Sequence, residues 1–426
     1  MTYREYQKDI IDRGSKIIKK YNFLYLAMEV RTGKTITSFG ICDQIKANNV
    51  LFITKKKAIK SISQDFRLLN PKFNLAIINY ESLHKLEDVK WDVIICDEAH
   101  SMGAFPKPSG RSKKVKDLVH KNNCSVILLS GTPTPESYSQ MYHQVYFIPN
   151  NPFSRYKSFY KFAKDYVRVV QKKIGGLYIN DYSKGSDKII KDMTPFTIKF
   201  SQKEAGFLVE IHERILEVDI KDSTANLIDR LKKDLVVEGQ DEVILADTSV
   251  KLMTKVHQLC SGTIKFESGK SMVLDLSKAE FIKRHFKGIK IGIFYKFKEE
   301  LNALKEVFGN DICQDLECFN TTDKNIALQI VSGREGISLR NAECLVYYNI
   351  DFSATSYWQS RDRMTTQDRK DSFVYWIFSK GGIEKDIYKA VIKKKDYTLA
   401  HFKRDFVNLQ YDRTANPNQK NKGIRS

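Results

Sequence analysis

Short apolar runs recur every 20 to 30 residues or so through the first third of the chain, at Phe23–Met28, Val50–Ile53, Leu75–Ile78, Val93–Cys96 and Val126–Leu129. Polar, helix-compatible segments separate most of them. Strands covered on both faces of a parallel sheet read as continuous apolar runs rather than as alternating ones. Each run therefore predicts a buried strand. A second set follows at Ile289–Tyr295, Ile326–Val331, Cys344–Tyr348 and Phe373–Phe378. The pattern predicts an α/β chain with two parallel-sheet domains, over 1–148 and 275–410.

The stretch between them, 149–274, reads as an inserted helical and hairpin region with a linker. Phe147-Ile148-Pro149-Asn150-Asn151-Pro152 carries the turn residues that close the first domain. Segment 153–167 has helical spacing. Val167–Gln171 and Leu177–Ile179 flank Gly175-Gly176, which predicts a hairpin turn. Segment 221–258 reads as helical, and 411–426 as a polar tail.

Composition adds one unusual number. The 426 residues hold 71 Lys and Arg against 51 Asp and Glu, a net charge of +20. Such an excess suggests a polyanionic partner, nucleic acid first and an acidic membrane second. Hydrophobic residues at 42% and charged residues at 29% exclude a disordered chain. No run approaches the roughly 18 apolar residues of a transmembrane helix. Met1–Glu5 lacks the apolar stretch of a secretory signal. The seven cysteines are scattered without a Cys-x-x-Cys pair, which fits reduced thiols in a cytoplasm better than disulfides or zinc. A cytoplasmic location is the expectation.

The candidate chemistry begins at Ala27-Met28-Glu29-Val30-Arg31-Thr32-Gly33-Lys34-Thr35, after an apolar run and before a helix-forming stretch. A Gly-Lys-Thr there can set backbone N–H groups and a helix N-terminus around a β-phosphate. Lys34 would reach the β- and γ-phosphates of ATP, and the Thr35 hydroxyl would hold Mg²⁺. The strict pattern has a glycine five residues before Gly33, where this chain has Met28. Gly-Lys-Thr alone also occurs in ordinary turns. About 60 residues on, Val93–Cys96 delivers Asp97-Glu98-Ala99-His100. A carboxylate pair at the end of a buried strand is costly unless a cation uses it. Asp97 is the expected Mg²⁺ ligand, and Glu98 the residue that orients and deprotonates the attacking water. Two solvated carboxylates are the bland alternative; both motifs in order favour ATP hydrolysis.

These residues resemble the superfamily 2 helicases and translocases of DEAH type, specifically their Swi/Snf-like branch, over nearly the whole chain. The resemblance implies two RecA-like domains. Tyr3-Arg4-Glu5-Tyr6-Gln7 looks like the adenine-reading element, with Gln7 as its amide. Thr54-Lys55-Lys56 and Asn79-Tyr80-Glu81-Ser82-Leu83 are similar to motifs Ia and Ib. Ser130-Gly131-Thr132-Pro133 matches motif III, which in the family couples hydrolysis to domain movement. Ile293-Phe294-Tyr295 resembles motif IV, Ser332–Leu339 motif V, and Gln359-Ser360-Arg361-Asp362-Arg363 motif VI.

The resemblance assigns Arg31, Thr32, Gly33, Lys34, Thr35, Gly333 and Gly336 to nucleotide binding. Lys34, Asp97, Glu98, His100, Gln359, Arg361 and Arg363 are assigned to catalysis, Arg363 as the arginine finger arriving from the second domain. His100 is expected to bridge toward Thr132 or Gln359. Two departures stand out: Arg31 replaces a usual glycine, and Thr366 replaces the second arginine of motif VI, for which Arg361 or Arg369 could substitute. Lys55, Lys56, Thr132 and Arg334 are the expected nucleic-acid contacts, with Arg111, Lys113-Lys114 and Lys393–Lys395 as further basic candidates. The aromatic-basic stretch Phe153–Tyr160 could stack bases or pack its helix on the core. The Gly175-Gly176 hairpin could act as a strand-separating wedge.

The resulting expectation is an ATP-dependent DNA helicase or duplex translocase acting on forked or branched DNA, with DNA bound through its backbone and no membrane role. Its compactness resembles bacteriophage members that work with replication or recombination proteins. An RNA helicase and an ATP-gated DNA-binding subunit of a larger complex remain alternatives.

Overall fold

The structure is a computed structural model that describes residues 2–393 apart from 175–176, 207–209, 240, 334–337, 354–355, 358–359, 361–363 and 365–370. The expected site residues Arg334, Gly336, Gln359, Arg361 and Arg363, the Gly175-Gly176 turn, Lys394, Lys395 and the 411–426 tail lie outside that set. Two compact units are present, Met1–Leu208 and Val209–Ser426.

The first unit opens with helix α1 (Glu5–Tyr21), whose buried face of Gln7, Ile10, Ile11, Gly14, Ser15 and Ile18 has the three-to-four-residue spacing of an amphipathic helix. It continues through β1 (Phe23–Met28), α2 (Lys34–Gln44), β2 (Asn49–Thr54), α3 (Ile59–Leu69), β3 (Asn74–Asn79), β4 (Val93–Cys96), α4 (Gly110–Asn122) and β5 (Ser125–Leu129). All five predicted strands are present. A hairpin of β6 (Val170–Ile174) and β7 (Leu177–Asp181) follows, antiparallel as the diglycine suggested. Then β8 (Thr197–Phe200) returns to the sheet, whose order is β3-β2-β4-β5-β1-β8 with every pairing parallel. The central strands are buried on both faces, with Phe23, Leu24, Tyr25 and Leu26 at 0% exposure. Two apolar clusters cover the two faces.

In segment 153–167 the helix is confined to Phe159–Tyr166, capped by Ser158. Phe159, Phe162 and Tyr166 are buried against Phe153 and Tyr142, so its aromatics pack the core, and Tyr160 alone stays half-exposed.

The second unit begins with β9 (Glu210–Val218), followed by β10 (Val236–Glu238) and β11 (Val243–Leu245), β12 (Thr263–Lys265) and β13 (Ser271–Val273), β14 (Ile291–Tyr295), β15 (Ile312–Cys313), β16 (Asn325–Gln329), β17 (Cys344–Tyr347) and β18 (Asp371–Ser379). Its main sheet runs β15-β16-β14-β17-β18-β9, again parallel throughout. The helix expected over 221–258 is corrected: Asp222–Asp234 and Ser249–Cys260 are helical, but β10 and β11 form a hairpin between them. The Val-Val and Val-Ile-Leu runs of this stretch favour extended backbone over helix. The predicted run Ile326–Val331 also divides, β16 ending at Gln329 and a short helical turn taking Ile330–Gly333.

The stretch 149–274 is shared out. β8 extends the first sheet beyond β1, and β9 extends the second beyond β18 over nine paired residues. Inside the second unit, Lys278 Nζ lies 2.7 Å from Glu384 Oε1, with both side chains almost fully buried. The Glu213 carboxylate accepts from Tyr357 Oη, Trp376 Nε1 and Tyr388 Oη at 2.8–3.0 Å.

Candidate nucleotide site in the first unit

The carboxyl ends of the parallel strands present their loops along one edge, where ligands of open α/β sheets bind. β1 delivers the turn Glu29–Gly33 and β4 delivers Asp97-Glu98. Because β5 lies between β1 and β4 in the sheet, Ser130–Pro133 emerges between the two motifs.

The turn is built by its own backbone. Thr32 is buried, and its hydroxyl donates to the Glu29 carbonyl at 2.7 Å. Gly33 has φ +79 and caps α2, which begins at Lys34. The left-handed backbone favours glycine there, and a Cβ at Gly33 would lie 2.4 Å from Gln7 Nε2, so any side chain would push the Gln7 amide off the turn. Arg31 takes φ +64. The arginine standing at a usual glycine position thus keeps a left-handed backbone, at a cost of about 1 kcal/mol.

Neighbouring elements brace the turn. Tyr6 Oη donates to the Thr32 carbonyl at 3.2 Å, and its ring stacks on Phe200. Gln202 donates from its backbone N–H to Glu29 Oε2 and from Nε2 to the Val30 carbonyl. Gln7 is buried and accepts the Arg4 N–H at 2.9 Å. Its amide therefore sits directly against the turn.

Across the edge, Asp97 Oδ2 accepts the Thr54 hydroxyl at 2.8 Å. Burial, followed by the Glu98 charge, pushes the Asp97 carboxyl up to about 6, against the opposing pull of Lys34 and of the Thr54 hydroxyl. Glu98 has φ +50, a strained conformation for a residue with a side chain. Its Oε2 is 3.3 Å from His100 Nδ1, which also lies 3.0 Å from Ser130 Oγ. Ser130 Oγ accepts the Thr132 N–H at 3.1 Å. His100 therefore bridges toward Thr132 through Ser130. The loop after β5 also runs close under the turn, since a Cβ at Gly131 would sit 3.4 Å from the Val30 nitrogen.

Thr132 is half-buried, and its hydroxyl oxygen is shielded from solvent with no hydrogen-bond partner among the described residues. Lys55 is half-buried and Lys56 exposed on the same edge, just beyond β2. Thr35 is half-buried at the start of α2. In the second unit, Gly333 ends the short helical turn after β16.

Sequence reasoning did not assign Thr54 to Asp97, nor Tyr6, Gln202 and Ser130 to bracing. Thr54 had a legible signal, a hydroxyl at the end of a buried strand. Gln202 had none, because only the pairing of β8 with β1 brings it to the turn.

The donors suit a hydrated divalent cation. A hydroxyl at Thr35 and a carboxylate whose ionisation burial disfavours are oxygen ligands that a cation would stabilise.

Two parallel six-stranded sheets, the first with a glycine-lysine-threonine turn between strand and helix and an acidic pair two strands away, place the chain in the class of two-sheet parallel α/β proteins. Within that class, residues 33–263 match the SNF2-related domain family over more than half of the chain, and the chain belongs to that family. It is similar to the CHD3-type chromatin-remodeling factor PICKLE of Arabidopsis thaliana, with 21% identity over 389 residues covering 82% of this chain and 26% of the relative. It is also similar to the SWI/SNF-related matrix-associated actin-dependent regulator of chromatin subfamily A-like protein 1 homolog of Caenorhabditis elegans, at 22% identity, covering 92% of this chain and 60% of that protein. The chain thus spans between about a quarter and three fifths of the length of these relatives. Among solved structures, the Sulfolobus solfataricus SWI2/SNF2 ATPase core in complex with dsDNA covers 96% of this chain at 15% identity with a TM-score of 0.41.

Proposed function

We propose that the protein is an ATP-driven DNA translocase. The observation that carries the reading is the convergence on one strand-end edge of the Gly33 turn, which opens α2 at Lys34 and Thr35, and of the Asp97 carboxyl held by the Thr54 hydroxyl. Two solvated carboxylates would not be pushed up by burial as Asp97 is.

In this reading Gly33 and the first N–H groups of α2 receive the β-phosphate, and Lys34 meets the β- and γ-phosphates. Thr35 and Asp97 hold Mg²⁺, which when bound neutralises phosphate charge. Glu98 orients the attacking water and takes its proton. Ser130 and His100 form a direct line from Glu98 to the loop after β5, so a change at the carboxylate reaches Thr132. Gln359, Arg361 and Arg363 are proposed to complete the catalytic set, with Arg363 as the finger; Gly333 and Gly336 are proposed to join in nucleotide binding.

DNA is proposed as the track because the charge is +20 and relatives carry the name of chromatin-remodeling factors. Binding through the phosphate backbone is sequence-tolerant and falls steeply with salt. Lys55, Lys56 and Arg334 are the proposed contacts. DEAH-type unwinding of forked or branched DNA during replication, recombination or repair is the finer form of this proposal, as is a compact phage-like, cytoplasmic role.

The test is ATP turnover with duplex, single-stranded and forked DNA and with RNA, alongside strand displacement. Turnover raised by DNA and lost in Lys34→Ala is expected. Turnover indifferent to every nucleic acid would sink the motor reading, and stimulation by RNA alone would replace DNA as the track.

A further inference from the structure

At the start of β9 and β18, far along the chain from the nucleotide turn, three metal-type ligands converge. The Cα register pairs Asp371 with Glu210 and Phe373 with His212. Residues paired across parallel strands point to the same face, and so do residues two apart on one strand. Glu210, His212 and Asp371 therefore share one face. One ligand atom from each lies within 4.8 Å of the others, and His212 Nε2 is 2.8 Å from Asp371 Oδ1.

We propose that Glu210, His212 and Asp371 form a binding site for a divalent transition-metal ion such as Zn²⁺, Mn²⁺ or Co²⁺, separate from any nucleotide-borne Mg²⁺. An ordinary His–Asp ion pair accounts for two of the three residues. It leaves Glu210 unexplained, because the register sets that carboxylate directly across from the carboxylate of Asp371. Like charges facing each other across strands destabilise a sheet unless a cation lies between them. The spacing is within reach of a shared ion: two donors about 2.05 Å from one tetrahedral metal sit about 3.3 Å apart, so the His212–Asp371 pair opens by about half an ångström to admit it. One imidazole with two carboxylates favours borderline metals over Mg²⁺, which takes oxygen ligands and keeps its water.

The imidazole is held for the task. Its ring stacks on Phe373 at 5.1 Å with a 25° tilt, while Arg214 lies over the same Phe373 ring. The site stays partly open, with the His212 side chain 34% and that of Asp371 52% exposed. Solvent can therefore deliver the ion and fill the remaining coordination positions. Bound there, the ion ties the first residue of β9 to the first residue of β18. The proposal does not rest on the ATPase reading.

The experiment is isothermal titration of Zn²⁺ into the tag-free, chelator-treated full chain with excess Mg²⁺ present, paired with Co²⁺ absorption spectra. One equivalent of Zn²⁺ should bind, with visible Co²⁺ bands reporting a nitrogen and oxygen set. His212→Gln, Asp371→Asn and Glu210→Gln should each weaken Zn²⁺ at least 10-fold, with the metal-free melting curve checked for each. Asp97→Asn should leave the stoichiometry unchanged, which separates this site from the nucleotide edge. Absence of stoichiometric binding in the parent chain overturns the site. So does binding that survives all three ligand substitutions.

Discussion

Replacing Asp97 by Asn should make the ligand-free protein more stable at neutral pH while abolishing its response to Mg²⁺-ATP. The carboxyl is pushed up to about 6 from an ordinary value of 3.8, first by burial and then by Glu98. A raised acid pKa means that the folded state binds the proton more tightly than the unfolded chain. This group therefore costs no stability below pH 4, costs progressively more as pH rises from 4 to 6, and costs a constant amount above. At 1.36 kcal/mol per unit the full penalty is about 3 kcal/mol. Coupling to Glu98 and partial solvent access reduce it, so a gain of about 1–3 kcal/mol at pH 7.5 is expected on removing the charge. Asn keeps an oxygen for the Thr54 hydroxyl, so that bond survives the substitution. For a unit of this size each kcal/mol moves melting by about 2–4 °C, giving roughly 3–10 °C for its transition. The assay is thermal melting of both proteins at pH 5 and pH 7.5, with and without Mg²⁺-ATP. The gain should be about half as large at pH 5, where the folded carboxyl of the parent is already mostly protonated. Mg²⁺-ATP should raise the parent's melting temperature and leave the variant where it was. A variant that melts below the parent at pH 7.5, or a gain equal at both pH values, refutes the reasoning.

Gly33→Ala should lose nucleotide binding, since the new Cβ meets Gln7 Nε2 at 2.4 Å on a left-handed backbone; nucleotide-analogue fluorescence is the readout. Glu98→Gln should cut turnover at least 100-fold while retaining ATP affinity, and retained hydrolysis in a stopped-flow assay removes its assigned role. Lys278→Met alone should destabilise the second unit by about 3–5 kcal/mol, because it strands the buried Glu384 carboxylate. Urea denaturation should show most of that loss recovered when Glu384→Leu is added. Glu213→Ala should cost about 2–4 kcal/mol in the same assay, because it removes an acceptor shared by Tyr357, Trp376 and Tyr388.

The strand-helix alternation was legible because strands buried on both faces must be apolar throughout. Phe23–Met28 and Val93–Cys96 announce themselves by that fact alone. The placement of Lys34, Asp97 and Glu98 was equally legible, since each follows such a run at the point where a sheet presents its loops. β8 and β9 were not. Thr197-Ile198-Lys199-Phe200 is short, and Glu210–Val218 is mostly polar on an edge strand. Their extended state comes from pairing with β1 and β18, partners about 170 and 160 residues away in sequence.

The sequence by itself determined the parallel-sheet class, the order of the glycine-lysine-threonine turn and acidic pair, and an excess of positive charge. These depend on local apolar runs, on short motifs and on composition. The tertiary structure decided that β5 stands between the two motifs, so Ser130 can link His100 to the loop that follows it. It also decided that Thr54 restrains Asp97, that Gln7 packs on Gly33, and that Glu210, His212 and Asp371 meet. Each of those contacts joins side chains from separate elements, and only the sheet order and register set the distance between them.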